Sequence, residues 1–507
     1  MGIESEVFKG LSCYYGDIHN HCNASYGHGS PEDAFANARL QLDFASVTGH
    51  SSWPDMPKRE GYMRSVVDYH TAGFKRLAEG WERFLELTER WNRPGDFVTF
   101  LSYEIHSMAD GDHTALYRDP PGPMYKPATI AEFQARVVAD RRCGRPSMLI
   151  PHHIAYRTGF RGINWPGFSE EASPLVEIVS MHGCSESDDA PMNYLHTMGP
   201  RNSANTMQAG LARGLHFGVC GSTDHHSAHP GSYGFGRTGA WAAGLTRADI
   251  WEALENRRTF AVTGDRMIMA FAVDGRPMGV RARLARRRRI EFRVVGGYAV
   301  DRIEILKNNR VLRRLDVAPA EPGADGKLKG KVHVEVGWGE KGVRQDWDVS
   351  LCMRGGKILD VEPRFHGVDI VDPKDSNDRD YRFTSLERDG RMVRFTTSTW
   401  GNPTVNSHAA QGVSLEIEGA RDAVLDAEIN GKKMSVRLPR LLEGAETEYL
   451  GGFLSGAVCF HRFVPEPEYA VEICFDDDAA GPLDFYYARV AQKNGQWGWT
   501  SPVRSET

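Results

Sequence analysis

No CxxC pair and no other paired cysteine spacing occurs in this chain; its eight cysteines, at 13, 22, 143, 184, 220, 352, 459 and 474, are scattered. That argues against a disulfide framework and a cysteine-rich zinc module, and it suits a reduced, cytoplasmic protein. No run of about 18 apolar residues appears, so no membrane-spanning helix is expected. The opening Met-Gly-Ile-Glu-Ser-Glu lacks a basic stretch followed by an apolar one, so no secretory signal is expected. Internal repeats and low-complexity tracts are missing as well. So is a broad basic patch: the net charge is −6, and the one arginine run, Arg286 to Arg289, stands alone. It reads as the exposed start of a strand or a linker, not as a nucleic-acid surface. What remains is a protein whose expected partner is a small-molecule substrate, with neither nucleic acid nor membrane involved.

What is present is length and histidine. At 507 residues the chain is too long for one ordinary core, and two domains are expected. Fifteen of its nineteen histidines fall within residues 1–230, less than half of the chain. They lie beside short apolar runs.

The two halves have different textures. In the first, strand-like runs at Tyr14–Ile18, Phe44–Thr48, Phe97–Tyr103, Met148–Pro151, Leu175–Ser180 and His216–Gly221 alternate with helical stretches. Ser30-Pro31-Glu32-Asp33 and Thr246-Arg247-Ala248-Asp249 are helix starts, and residues 64–90 read as one long or broken helix. Such alternation predicts an α/β unit with a parallel sheet, open or closed into a barrel. The second half reads as all-β and sandwich-like. Asn308-Asn309 sits between two strand runs as a hairpin turn, and Asn494-Gly495 does the same near the end. The boundary is expected within residues 272–290, giving domains 1–275 and 276–507.

Six of the first-half strands deliver His, Glu or Asp at or just after their last residue. Asp17-Ile18-His19-Asn20-His21 ends the first; residues two apart in extended chain point the same way, so His19 and His21 can face one ion. The second strand ends at Gly49-His50, and the third at Glu104, with His113 nine residues on. The fourth ends at His152-His153, the fifth leads to His182, and the sixth ends at Asp224-His225-His226. Parallel α/β folds place their sites at these strand ends. Imidazole mixed with carboxylate suits zinc, manganese or iron, and two metals can share a carboxylate.

These motifs, over roughly residues 12–270, resemble the PHP family, named for polymerase and histidinol phosphatase. A PHP-like domain followed by a β-rich half also resembles, more loosely, the carbaryl-hydrolase-like metallohydrolases. The resemblance implies a distorted (β/α)7 barrel and a ligand set of His19, His21, His50, Glu104, His113, His152 or His153, Asp224 and His226. It implies that His19, His21, Glu104 and Asp224 hold one divalent ion, and that Glu104, His113 and His152 or His153 hold a second. A metal-bound hydroxide would then cleave an ester, carbamate, amide or lactone; a phosphoester, or a binding role without catalysis, is the alternative. Asp224, His50, His226 and His182 are the candidate catalytic groups. Two departures stand out. Where the family often has aspartate, this chain has Tyr26 and Gly49, which points to two metals rather than three, with His28 a candidate substitute nearby. Glu186, His225 and His229 are further candidates for the pocket wall. Arg157 and Arg161 could bind an anion, and Trp53, Tyr156 and Trp165 could form an aromatic wall.

Overall fold

A computed structural model describes residues 6–320, 327–368, 384–401 and 408–506. It is a mixed α/β, strand-rich structure. The first half runs β1 (Ser12–Asp17), α1 (Pro31–Gln41), β2 (Phe44–Ser52), α2 (Met63–Trp91), β3 (Val98–Ile105), β4 (His113–Tyr117), α3 (Ile130–Arg142), β5 (Ser147–Pro151), β6 (Leu175–Ser180), β7 (Gly183–Cys184), α4 (Met207–Ala212), β8 (Gly218–Gly221), β9 (Arg237–Ala242), α5 (Arg247–Glu255) and β10 (Thr259–Val262).

Local chemistry explains the helix starts. Ser30 accepts from the Asp33 N–H while the Asp33 carboxylate accepts from the Ser30 N–H, a reciprocal cap ahead of Pro31. Thr246 caps α5 through the Asp249 N–H. Residues 63–91 form one unbroken helix. β2 and β3 are buried along almost their whole length, as central strands covered on both faces must be.

β1, β2 and β3 pair in parallel, as the alternation predicts. β4 and β5 follow antiparallel, and β9 and β10 join antiparallel on the other side of β1. β6 and β8 pair in parallel in a separate small sheet with β7. That sheet is joined to the larger one from both sides: the Leu149 N–H donates to Ala172 O just before β6, and Thr238 and Thr259 hydroxyls donate to Gly221 and Val219 carbonyls in β8. Strand ends from both sheets thus converge on one interior.

Apart from two short helices, Leu438–Glu443 and Glu466–Tyr469, the described part of residues 268–506 is β-structure and turns. Asn308 and Asn309 take positive φ, 51° and 64°, turning Val300–Lys307 into Arg310–Asp316. The long strands Lys327–Trp338, Arg344–Arg364 and Ala410–Ile429 build an antiparallel sheet over a core that includes Trp347, Leu351, Phe395 and Leu415; Leu40 of α1 packs against it. Ile268–Val273, Arg287–Val295 and Ala470–Asp478 form another sheet, whose Phe271 and Phe292 share a core with Ile303, Tyr486 and Val490.

Two features cut across a division by residue number. The hairpin of Ile268–Val273 with Arg276–Pro277 spans residue 275. Trp497–Thr500 also returns to pair with β10, so the C-terminal strands extend the N-terminal sheet. The arginine run is not uniformly exposed either. Arg287 and Arg289 face water, but Arg288 is buried, paired with Asp484 at 2.6 Å.

Candidate metal centre

The β1 end sets the first two ligands. Asp17 closes the strand, and its carboxylate accepts from the Thr223 hydroxyl and from the N–H groups of His19 and Gly231. It thereby ties the end of β1 to the loop after β8. Asn20 turns the other way, donating to Ser46 O, so His19 and His21 share the inner side. His50 of β2 and Glu104 of β3 are direct partners across the parallel ladder and therefore share a face. Asp224 adopts φ of 54°, a left-handed conformation that aspartate tolerates better than most residues, and its carboxylate turns back toward β1.

Everything converges on Glu104. Its Oε2 lies 3.4 Å from His19 Nε2, 3.3 Å from His21 Nε2 and 3.4 Å from His50 Nε2. Its Oε1 lies 2.9 Å from His106 Nδ1 and 3.7 Å from His152 Nε2. Asp224 Oδ1 is 3.0 Å from His21 Nε2, while its Oδ2 is 3.0 Å from His182 Nε2. Overlapping trios of donor atoms close enough to hold an ion include His19–His21–Glu104, His50–Glu104–His106, Glu104–His152–His153, His19–His152–Glu177 and His21–His50–His226.

Second contacts orient the rings. His21 Nδ1 lies 2.7 Å from Thr48 O, and His226 Nδ1 lies 2.8 Å from Asp224 O. Each Nδ1 must donate to its carbonyl, which leaves Nε2 a lone pair, the arrangement of a metal-ligating imidazole. His19 Nδ1 faces Glu177 Oε2 at 3.0 Å. Burial opposes charge on Glu104 and Asp224, yet the surrounding imidazoles hold both carboxyls well below the usual range. Burial pulls His50, His152 and His226 well below the ordinary histidine value, so these rings are neutral. His19 goes the other way: burial lowers it, but Asp224, Glu177 and Glu104 together raise it well above normal. Burial pushes the Glu177 carboxyl up to about 7. Ionised Glu104 and Asp224 beside the neutral rings of His50, His152 and His226 suit a divalent cation, which would take the place of the proton on His19.

The donor set fits such a cation. Glu104 Oε2, both ring nitrogens of His152, His153 Nδ1 and Glu177 Oε1 are buried without a hydrogen-bond partner. Orphaned groups of this kind are costly, and a bound ion would satisfy several at once.

Of the residues expected from the sequence, His19, His21, His50, Glu104, His152, Asp224 and His226 come together, and His182 joins through Asp224. His153 is within reach of the same ion as Glu104 and His152, and its Nε2 also lies 3.3 Å from Asp112 Oδ2. His113 needs correction. In the β3–β4 ladder Thr114 is the partner of Glu104 and His113 is the partner of Ile105, so His113 faces away from Glu104. Its Nδ1 donates to Gly111 O. The inward group there is its neighbour Asp112, because a one-residue step along a strand reverses the face.

Sequence reasoning missed His106, Asp112 and Glu177. His106 follows Glu104 by two, the same period that pairs His19 with His21, so its signal was present. Glu177 lies inside an apolar strand run and gave none.

Several wall candidates have other duties. Arg161 is half-buried in contact with Asp112 and His106, and Trp53 packs against both His106 and Arg161. Arg161 is thus committed to the cluster rather than to a ligand. Arg157 lies over Phe160 at the exposed surface. Tyr156 OH is 2.8 Å from His182 Nδ1. Trp165 stacks on Phe217 in a separate core. Glu186 bonds Tyr487, Arg489 and Trp499, which fastens the C-terminal strands. His225 bonds Ser227 and, with His229, lies against Gly367 from the second half. His28 donates its backbone N–H to His226 O.

The two departures have structural counterparts. Tyr26 stacks on His50 at 3.7 Å between ring centroids, and its hydroxyl is 2.6 Å from His106 Nε2. It fills the space on that side. Gly49 backs onto α2: a Cβ there would stand 2.5 Å from Leu77 Cδ1.

No family model matches the chain. An uncharacterized protein of Chlamydia trachomatis is 31% identical over 236 residues, which is 43% of this chain and 35% of that protein. One from Chlamydia muridarum is 30% identical over the same shares. The chain thus spans about a third of the length of these curated relatives. Among solved structures, a two-domain protein from Bacteroides vulgatus, described as containing a predicted PHP-like metal-dependent phosphoesterase, is 11% identical. The match covers 92% of this chain and 96% of that one, at a TM-score of 0.31. That score is too low to establish a common fold.

Proposed function

We propose that this chain is a metal-dependent hydrolase of the PHP kind, acting on a small-molecule ester, carbamate, amide or lactone. The observation that carries the reading is Glu104, whose two carboxylate oxygens face five imidazoles from four separate strand ends. A buried carboxylate so surrounded suits a bridge between two divalent ions, zinc, manganese or iron. On this reading His19, His21, Glu104 and Asp224 hold one ion. Glu104 and His152, with His106 in the place expected of His113, hold the other. The catalytic unit is the distorted (β/α)7 barrel of residues 1–275, and residues 276–507 form a sandwich-like accessory domain whose last strands brace it.

Bound divalent ions would polarise the scissile group and lower the pKa of water to about 7. The chain's own groups do the rest. Asp224 sits between His21 and His182 and can pass a proton to the latter, whose far nitrogen meets Tyr156. The His226 side chain is 31% exposed, against 7% or less for His19, His21, His50, Glu104, His152, His182 and Asp224, so it stands where a substrate enters. It is placed to hydrogen-bond a leaving group.

Phosphoester hydrolysis is the competing chemistry, since such a cluster needs no glycine-rich loop to hold phosphate. The test pairs metal analysis of the purified protein with a panel of carboxylic ester, carbamate, lactone and phosphoester substrates, before and after chelation. Turnover of carbon esters that chelation abolishes and Mn²⁺ or Zn²⁺ restores supports the proposal. Phosphoester turnover alone transfers it to the competing chemistry. Full activity in metal-free protein overturns both, and metal binding without any turnover leaves a binding role.

A further inference from the structure

Away from Glu104, the β-rich half carries a second group of ligand-type side chains. Lys327–Trp338 contains His333-Val334-Glu335, and the neighbouring antiparallel strand, Gly456–Phe460, runs into Cys459-Phe460-His461. Residues two apart on a strand share a face, so His333 goes with Glu335 and Cys459 with His461. The register brings the pairs together. Glu335 is the direct partner of Cys459, Val334 of Phe460, and the His461 N–H donates to His333 O at 2.8 Å. All four side chains therefore stand on one face of the same two strands.

Their atoms are already close. His461 Nε2 is 2.5 Å from Glu335 Oε2, and His333 Nε2 is 3.9 Å from Glu335 Oε1. The two rings stack 4.8 Å apart at an interplanar angle of 13°. The Cys459 thiol lies beside His461 on this face and helps to raise its pKa. His333 is 93% buried, and its Nε2 has no hydrogen-bond partner. Gly412 on the next strand leaves the room above that nitrogen, since a Cβ there would stand 2.9 Å from it. A hydrophobic interior does not ordinarily keep a buried, unpaired imidazole nitrogen pointing at a carboxylate 3.9 Å away. A simple ion pair would need only His461 and Glu335.

We propose that His333, Glu335, Cys459 and His461 form a separate metal site for a zinc-like divalent cation. Two imidazoles, one thiolate and one carboxylate make four protein ligands of the types zinc accepts. Four protein ligands leave no open position, so this site is structural: it clamps Gly456–Phe460 to Lys327–Trp338. Glu335 and His461 keep side-chain exposures of 22% and 32%, which gives the ion a path in. Binding requires the thiol to lose its proton.

Cobalt(II) distinguishes this site from the first, because no cysteine is among the ligands around Glu104. Full-length, metal-stripped protein titrated with Co²⁺ should develop a thiolate-to-cobalt charge-transfer band in the near ultraviolet. The band should persist in Glu104→Ala and vanish in Cys459→Ser. Zinc stoichiometry should fall by one ion per chain in Cys459→Ser and again by comparison with wild type in His333→Ala. Wild-type protein that takes up cobalt without any thiolate band overturns the proposal, whatever the variants do. A band that survives Cys459→Ser, or zinc stoichiometry unchanged in both variants, overturns it as well and leaves an ordinary His461–Glu335 ion pair. None of these readouts depends on hydrolytic activity.

Discussion

His19 and His21 point their Nε2 atoms at one another across 3.2 Å, with Asp224 Oδ1 3.0 Å from the second. Thr48 O takes the Nδ1 proton of His21, and Glu177 stands at Nδ1 of His19. Two ring lone pairs and two carboxylates can meet at one point only around a positive charge, either a proton on His19 or a cation between them. Chelation should therefore lower the melting temperature by several degrees, and Mn²⁺ or Zn²⁺ should restore it, because an ion held only by the folded state stabilises it. Differential scanning calorimetry with and without chelator checks this. Glu104→Ala should lose the ions of this cluster and the part of the shift that they cause.

His106 and His113 should behave oppositely. His106→Ala removes a ring 2.9 Å from Glu104 Oε1 and should weaken metal binding about tenfold or more. His113→Ala should keep its full metal content, since that ring faces away from Glu104. Elemental analysis of the two variants side by side decides it; equal losses would mean that the β4 register does not hold in solution.

The cluster around Glu104 should bind fewer than three metals. Tyr26 packs flat on His50 and reaches His106, occupying the space a further carboxylate would need. His50→Ala should lose activity while keeping most of the metal. Tyr26→Asp should raise the metal count by supplying charge and oxygen ligands. Three ions in Cys459→Ser protein, which lacks the site in the β-rich half, with one released by His50→Ala, would refute this reading.

Gly367 links the β-rich half to the loop that carries Asp224. Its N–H donates to Ser232, and a Cβ there would lie 2.4 Å from His225 Cε1 and 2.7 Å from His229 Cβ. Gly367→Val should destabilise the protein by about 1–3 kcal/mol through overpacking. It should also weaken metal binding by shifting that loop, even though residue 367 is no ligand. Urea unfolding and metal titration of the same variant test both parts.

Arg288 and Asp484 give a pH-dependent prediction remote from any metal. Burial raises the Asp484 carboxyl, but Asn308, the N–H groups of Ala480 and Gly481 and the charge of Lys307 hold it below its ordinary value. Its folded pKa is thus lower than its unfolded one. The stabilisation is fully present above about pH 4, where the unfolded side chain is also ionised, and is lost as pH falls through the folded value. Asp484→Asn should cost about 2–4 kcal/mol near neutral pH by leaving Arg288 buried and unpaired. The stability gap between wild type and variant should narrow below pH 4. A gap that stays constant with pH would remove the ion pair as its cause.

Much of the site was legible in the amino-acid order because its grammar is local. Ligands sit at the ends of apolar strands, and the period of two puts His19 with His21 without reference to any other part of the chain. The helix caps at Ser30 and Thr246 and the Asn308-Asn309 turn are equally local, so residue type alone specifies them. What only the tertiary structure decided depends on register and return. Whether His113 faces Glu104 is settled by which residue of β4 pairs with it, and one step reverses the answer. Glu177 hides in an apolar run because its need for a partner is met by His19, 158 residues away. Arg288 is buried within a run of four arginines because Asp484 arrives beside it from almost 200 residues later. The C-terminal strands complete a sheet begun at residue 12, a pairing no local pattern encodes because its hydrogen bonds are backbone ones, indifferent to side-chain identity.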